Sequence, residues 1–272
     1  MPVANLAPGP ASGVESVKVP GVSIGTSGYV YPHWRRGVFY PAGWPQTEEL
    51  SWYTQFFSTV ELNNSFYRLP TRERFTRWAA QTPDDFQFAV KASRYISHLT
   101  RLRDPADPLA RLLESAEGLG PKLGPLLVQL PPTFHIDLDR LERFLRELPS
   151  RHRWVLEVRH PSWRVPETWS LLARFQVALC VPVGGRVQPD LVTTAPFTYI
   201  RMHAGSAGGG GFGREELRTW AGRIRGLTRS GKEVYVYFNN DAHGHAIRDA
   251  ATLLRLLSRS APRSGSGSSH SA

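Results

Sequence analysis

Between Val22 and Leu257 the chain alternates eight short β-branched or apolar runs with segments of helical period. That pattern is the signature of a parallel sheet joined by crossover helices, because parallel strands cannot be connected by tight turns. The strand candidates are 22–26, 59–63, 86–91, 126–130, 154–159, 178–181, 198–203 and 233–239, and the helical segments are 47–57, 71–81, 108–117, 138–147, 166–175, 214–228 and 243–257. Thr71 followed by Glu73, and Asp137 before Leu138, read as helix starts. The stretch 182–196 has no helical period, so the sixth βα unit is expected to be irregular.

Two architectures fit such an alternation, and length and glycine placement separate them. A chain of 272 residues matches the roughly 250 typical of a (β/α)₈ barrel. An open doubly wound sheet would advertise a glycine fingerprint after its first strand, whereas this one ends in Gly25-Thr26-Ser27-Gly28-Tyr29 with no helix directly following. The expected fold class is therefore α/β, a single TIM-like (β/α)₈ barrel over residues 19–257. The Pro/Ala/Gly/Ser-rich segment 1–18 and the Ser/Gly-rich segment 258–272 are expected to be disordered tails.

In a parallel barrel, function collects at the C-terminal strand ends. Seven of the eight runs end in charged, amide or hydroxyl groups, and the candidate site is built from them. Glu61, Glu157 and His203 are the expected catalytic groups. Thr26, Asn63, Lys91, Gln129, Arg159, Arg201, Asn239 and Asn240 are the expected substrate-binding groups. Glu61 and Glu157 are the carboxylates that lie inside strand patterns, where burial raises a carboxyl pKa unless a cation offsets it; Lys91, Arg159 and Arg201 are cations at the same face. The pair reads equally as an acid/base couple or as structural ion pairs filling the mouth. A glycosidase pair is a further reading. A metal set of Glu61, Glu157, His203 and Asp241 lacks a supporting motif and is surrounded by cations, so neither metal nor cofactor is expected.

Two loops invite anions. Lys91, Arg94, His98, Arg101 and Arg103 cluster after the third strand, and the glycine-rich stretch 205–213 opens into a helix, where backbone N–H groups can cradle phosphate. The alternative for the latter is a plain surface loop. The first βα loop carries Tyr29, Tyr31, Trp34, Phe39, Tyr40 and Trp44, which either stack a ligand or pack the loop on the rim. The net charge of +10 adds only modest support, since four of the 33 basic residues are lysine and many arginines lie on solvated helix faces. Cys180 sits in an apolar run and reads as an inert buried residue. With no signal-like start and no long apolar run, a cytoplasmic protein without membrane partner is expected.

Several motifs carry a family resemblance. Ile24-Gly25-Thr26-Ser27-Gly28-Tyr29, Val60-Glu61-Leu62-Asn63-Asn64-Ser65-Phe66-Tyr67-Arg68-Leu69-Pro70, Phe88-Ala89-Val90-Lys91 and Gln129-Leu130-Pro131-Pro132-Thr133-Phe134 resemble the YecE-like family, catalogued as domain of unknown function 72. So do Glu157-Val158-Arg159-His160-Pro161-Ser162-Trp163, Arg201-Met202-His203 and Val236-Tyr237-Phe238-Asn239-Asn240-Asp241. The resemblance implies a TIM-barrel-like fold with polar strand ends, and brings no reaction with it. Fold analogy to phosphate-handling barrels of the endonuclease IV group points toward nucleic acid. Where the family has a Tyr-Ser-Asp-Glu-Glu-Leu type segment, this chain has Gly211-Phe212-Gly213-Arg214-Glu215-Glu216-Leu217, so that tyrosine has no counterpart here. The combined expectation is a metal-independent enzyme, a hydrolase ahead of an isomerase, acting on a phosphate-bearing small molecule or nucleic acid. The alternative is a nucleic-acid-binding protein without catalysis.

Overall fold

The computed structural model describes residues 18–184 and 189–258. Eight parallel strands run in the order β1-β8-β7-β6-β5-β4-β3-β2. They are β1 (Val22–Thr26), β2 (Thr59–Leu62), β3 (Gln87–Lys91), β4 (Leu123–Gln129), β5 (Trp154–Glu157), β6 (Ala178–Val183), β7 (Phe197–Met202) and β8 (Glu233–Phe238). The helices are α1 (Glu49–Tyr53), α2 (Asn64–Tyr67), α3 (Arg72–Ala80), α4 (Ala106–Ala116), α5 (Leu138–Arg146), α6 (Pro166–Arg174), α7 (Arg214–Arg229) and α8 (His245–Ser258). The expected α/β barrel is therefore the fold, and between β6 and β7 no helix occurs among the described residues. Most of both terminal segments lies outside the described residues; Lys18, assigned to the first, pairs with Asp85 at 2.5 Å, and Ser258, assigned to the second, ends α8.

Strand parity creates two apolar layers. Side chains alternate across a strand, so one set lines the barrel interior and the other meets the helices. Ala89, Leu127, Val155, Ala178, Cys180, Tyr199 and Tyr237 form the inner cluster. Ile24, Val60, Val90, Val128, Leu156, Ile200 and Val236 belong to the larger outer one. Helices supply matching stripes: α7 buries Leu217, Trp220, Ala221 and Ile224, which recur at the spacing of one helix face. Thr71 and Asp137 cap α3 and α5 as expected, Asp137 Oδ1 accepting from the Arg140 N–H at 3.0 Å.

Closure of the barrel depends on one tyrosine. β1 and β2 share a single bridge, Ser27 with Glu61. Below it the Tyr53 hydroxyl accepts from the Thr26 N–H at 2.9 Å and donates to the Thr59 carbonyl at 3.0 Å, replacing ladder bonds that the two backbones do not make. Gly25 allows this approach, because a Cβ there would lie 2.0 Å from the Thr59 carbonyl oxygen. The helix expected over 47–57 shrinks to α1 for a related reason. Trp52, Tyr53 and Phe57 are all buried, and the helix stops at Tyr53, whose ring runs into the seam.

Candidate functional site

The top layer of the barrel interior is a charged cluster centred on Arg201. The arginine ends β7, is 1% exposed, and its Nη2 donates to Glu61 Oε1 at 2.7 Å. Its Nη1 donates to Glu157 Oε2 at 2.8 Å and to Gln129 Oε1 at 3.3 Å. The second Glu61 oxygen accepts from the Tyr199 hydroxyl at 2.7 Å. Glu157 Oε1 faces the mouth, with Arg159 Nη2 at 2.5 Å and His203 Nε2 at 3.5 Å, neither in good hydrogen-bonding geometry. Asn239 Nδ2 lies 3.2 Å from His203 Nδ1, and Arg159 Nη2 lies 3.3 Å from His203 Nε2.

These contacts decide the ionisation of the carboxylates. Burial pushes both carboxyl groups up, but Arg201 outweighs it, helped by Tyr199 at Glu61 and by His203 and Arg159 at Glu157, so both lie below the usual carboxylate range. Arg201 is in turn held charged. Two locked carboxylates are poorly suited to the acid/base exchange expected of Glu61 and Glu157, and to a glycosidase pair, which needs one protonated acid. They act as the counter-charges that hold Arg201.

Lys91 is different. It ends β3 in the same layer and is 9% exposed, yet its ammonium has no carboxylate within 4.0 Å among the described residues, since Arg201 and Arg159 take both. Nζ rests 4.0 Å over the Phe66 ring, placed there by α2, whose Ser65 hydroxyl donates to the Lys91 carbonyl at 2.7 Å. Burial, with the positive charge of Arg201, pushes the ammonium down to about 8. His98, from the loop after β3, is also pushed down, by burial and then by Lys91, Arg94 and Arg159. A buried ammonium depressed by burial and by neighbouring arginines marks a place where an anion would lower the energy. The loop after β3 turns through left-handed backbone at Arg101, Leu102 and Asp104, with Leu102 buried as its anchor.

Two expected ligand contacts are turned away from the mouth. Thr26 has the outward parity: its hydroxyl donates to the Gly28 carbonyl at 2.6 Å and lies 3.0 Å from the Tyr53 hydroxyl. Ser27 takes the inward place beside Glu61. Asn240 likewise points outward, its Nδ2 donating to the Gly210 carbonyl at 3.1 Å and to Asp249 at 2.7 Å. Asn63 is at the rim with a buried, unpartnered Oδ1. Strand parity, counted from Glu61 and Arg201, would have preferred Ser27 over Thr26 and Asn239 over Asn240. No sequence signal marked Tyr199 or Phe66, whose roles come from packing across the barrel.

The glycine-rich loop carries its own anion. Glu216 Oε2 accepts from the Ser206 N–H at 3.1 Å, the Ser206 hydroxyl at 3.0 Å and the Gly213 N–H at 3.4 Å. Asp249 takes the Phe212 N–H at 2.9 Å. The α7 N-terminus is thus capped from within, and the phosphate cradle considered for 205–213 gives way to a closed loop. Asp241, weighed as a metal ligand, accepts from Trp34 Nε1 at 2.8 Å and pairs with His33 at 2.7 Å. Among the described residues no three His, Cys, Asp or Glu side chains converge as a metal set. The aromatic first loop packs on the rim, with Trp34 and Tyr40 buried. Cys180 is buried, its thiol pushed up by that burial. No described helix is long and apolar enough to cross a membrane.

Fold and mouth define an α/β barrel with a strand-end site of ion-paired carboxylates and a buried lysine that has no carboxylate partner among the described residues. The chain belongs to the family described as protein of unknown function DUF72, whose sequence profile matches residues 23–270. It is 36% identical to the UPF0759 protein YecE of Escherichia coli K12 over 143 residues, which spans about half of each chain (52% and 50%). It is 27% identical to the UPF0759 protein YunF of Bacillus subtilis 168 over 252 residues, 80% of this chain and 89% of that one. A DUF72 family protein from Thermotoga maritima superposes with a TM-score of 0.78 at 28% identity, covering 87% of this chain and 98% of the other. One from Enterococcus faecalis, at 21% identity and a TM-score of 0.72 over 87% and 95%, shares the fold.

Proposed function

We propose that the barrel mouth is the site of a metal-independent enzyme that acts on a phosphate-bearing ligand, hydrolysis ahead of isomerisation. The observation that carries this is Lys91: a buried ammonium with no carboxylate partner among the described residues, beside Arg159 and His98. A dianion bridging Lys91 and Arg159 would remove their repulsion and give the Lys91 ammonium an acceptor. Arg201 stays bound to its glutamates and fixes the floor. His203, with Asn239 at Nδ1 and Glu157 near Nε2, is the group arranged to move a proton, while Gln129 and Asn63 orient the ligand. The test is calorimetric titration with inorganic phosphate at constant ionic strength. Wild type should bind, and Lys91→Met should weaken binding at least about tenfold, the scale of one charge-assisted hydrogen bond. Equal affinities would remove Lys91 from the anion site.

A second reading, nucleic-acid binding without catalysis, has one observation in its favour. Tyr67 and Tyr95 are 75% and 51% exposed on the loops after β2 and β3, beside Arg68 and Arg94, and exposed aromatics among arginines stack bases. It predicts affinity for single-stranded oligonucleotides that falls steeply with salt and drops on Tyr67→Ala/Tyr95→Ala.

A further inference from the structure

A groove outside the barrel wall extends the mouth. It lies between the loop after β1 and the helix α3, with a volume of about 560 Å³, within the range of small-molecule sites. Its walls contain no carboxylate. α3 sets Arg74 and Arg77 along it, three residues apart and therefore on one helix face. Of the α3 arginines, Arg72 pairs with a carboxylate, Glu117; Arg74 and Arg77 form no ion pair among the described residues. Arg74 lies 5.7 Å from the Trp78 ring, which also lines the groove.

The groove meets the mouth at Ser27 and Asn63, the residues that follow β1 and β2. Ser27 is 1% exposed and its Oγ makes no hydrogen bond of normal geometry, although it lies close enough to Glu61 to help hold that carboxylate ionised. Asn63 Oδ1 is buried and unpartnered. Buried side-chain oxygens without partners are rare in folded proteins, and Asn63 Oδ1 is one at this junction. Tyr29 and Tyr31 supply ring faces alongside.

Resting on the reading of the mouth as a phosphate site, we infer that this groove receives the second anionic end of the same ligand, so that the substrate class is a sugar carrying two phosphate groups. One phosphate sits at Lys91 and Arg159, the hydroxyls of the sugar pass Ser27 and Asn63, and the other phosphate meets Arg74 and Arg77. Two arginines on one exposed helix face provide forked donors that suit phosphate geometry.

The experiment is calorimetric titration of the full chain with three probes, inorganic phosphate, fructose 6-phosphate and fructose 1,6-bisphosphate, at matched ionic strength. Wild type should bind the bisphosphate at least tenfold tighter than the monophosphate. R74A/R77A, exposed changes to a good helix former, should abolish that advantage. Ser27→Ala should weaken both sugar phosphates but not inorganic phosphate. Equal binding of the two sugar phosphates by wild type, or a bisphosphate advantage that survives R74A/R77A, overturns the groove assignment. Failure of the mouth reading shows itself separately, as inorganic phosphate affinity indifferent to Lys91→Met.

Discussion

Arg201 and Glu61, on β7 and β2, meet at 2.7 Å inside the barrel, one residue 1% and the other 0% exposed. The same guanidinium holds Glu157, so one cation bridges two buried carboxylates drawn from different walls, and Arg159 brings the second positive charge to Glu157. Buried ion pairs of this kind contribute little net stability over an apolar core, but removing one member strands the others.

Arg201→Met should therefore destabilise the barrel by about 3–5 kcal/mol, the cost of uncompensated buried charge. In wild type, Glu61 and Glu157 have folded pKa values below the ordinary 4.5, so their stabilisation is present above pH 4.5 and lost as pH falls through the folded values. Urea unfolding across pH 7 to 3 should show a steep acid loss in wild type. A variant as stable as wild type at pH 7 would refute the account.

Lys91 carries the opposite sign. Its folded pKa of about 8 lies below the ordinary 10.5, so the unfolded chain binds the proton more readily and native stability is reduced below pH 8. Lys91→Met should raise stability at pH 7 by up to about 3 kcal/mol, and by almost nothing above pH 10.5, where both states are neutral. Phosphate affinity should weaken as pH rises through about 8 in wild type only. Equal stabilisation at pH 7 and pH 11 would show that packing, not charge, is responsible.

Tyr53→Phe removes the hydroxyl that joins Thr26 to Thr59 and leaves a buried N–H and carbonyl without partners. The expected cost is about 1–3 kcal/mol. Hydrogen exchange should quicken at the Thr26 amide while amides of β3 to β5 stay protected; uniform quickening would deny the seam its special place.

Glu216→Ala opens the cap that the glycine-rich loop makes with α7. About 1 kcal/mol of stability should be lost. Phosphate affinity should be unchanged, because the proposed anion site is at β3 and β5; a clear gain in affinity would return the loop to candidacy.

The strands and the mouth-facing charges were legible because they depend on local rules. Alternating apolar runs mark strands, and polar residues ending them mark the functional face. Element ends moved by a few residues, most at α1, where Tyr53 serves the β1–β2 seam rather than its helix. Thr26 and Asn240 were misplaced because adjacent polar residues differ only by parity, which one register step reverses.

The sequence by itself determined the barrel, its irregular sixth unit and the set of strands whose ends bear charge, since periodicity and residue type act within a few neighbours. Only the tertiary structure decided which charges pair. Ion pairing depends on distances between strands far apart in the chain, so that Arg201 takes both glutamates, Glu216 fills the loop that was offered to phosphate, and Lys91 is left buried with no carboxylate partner among the described residues.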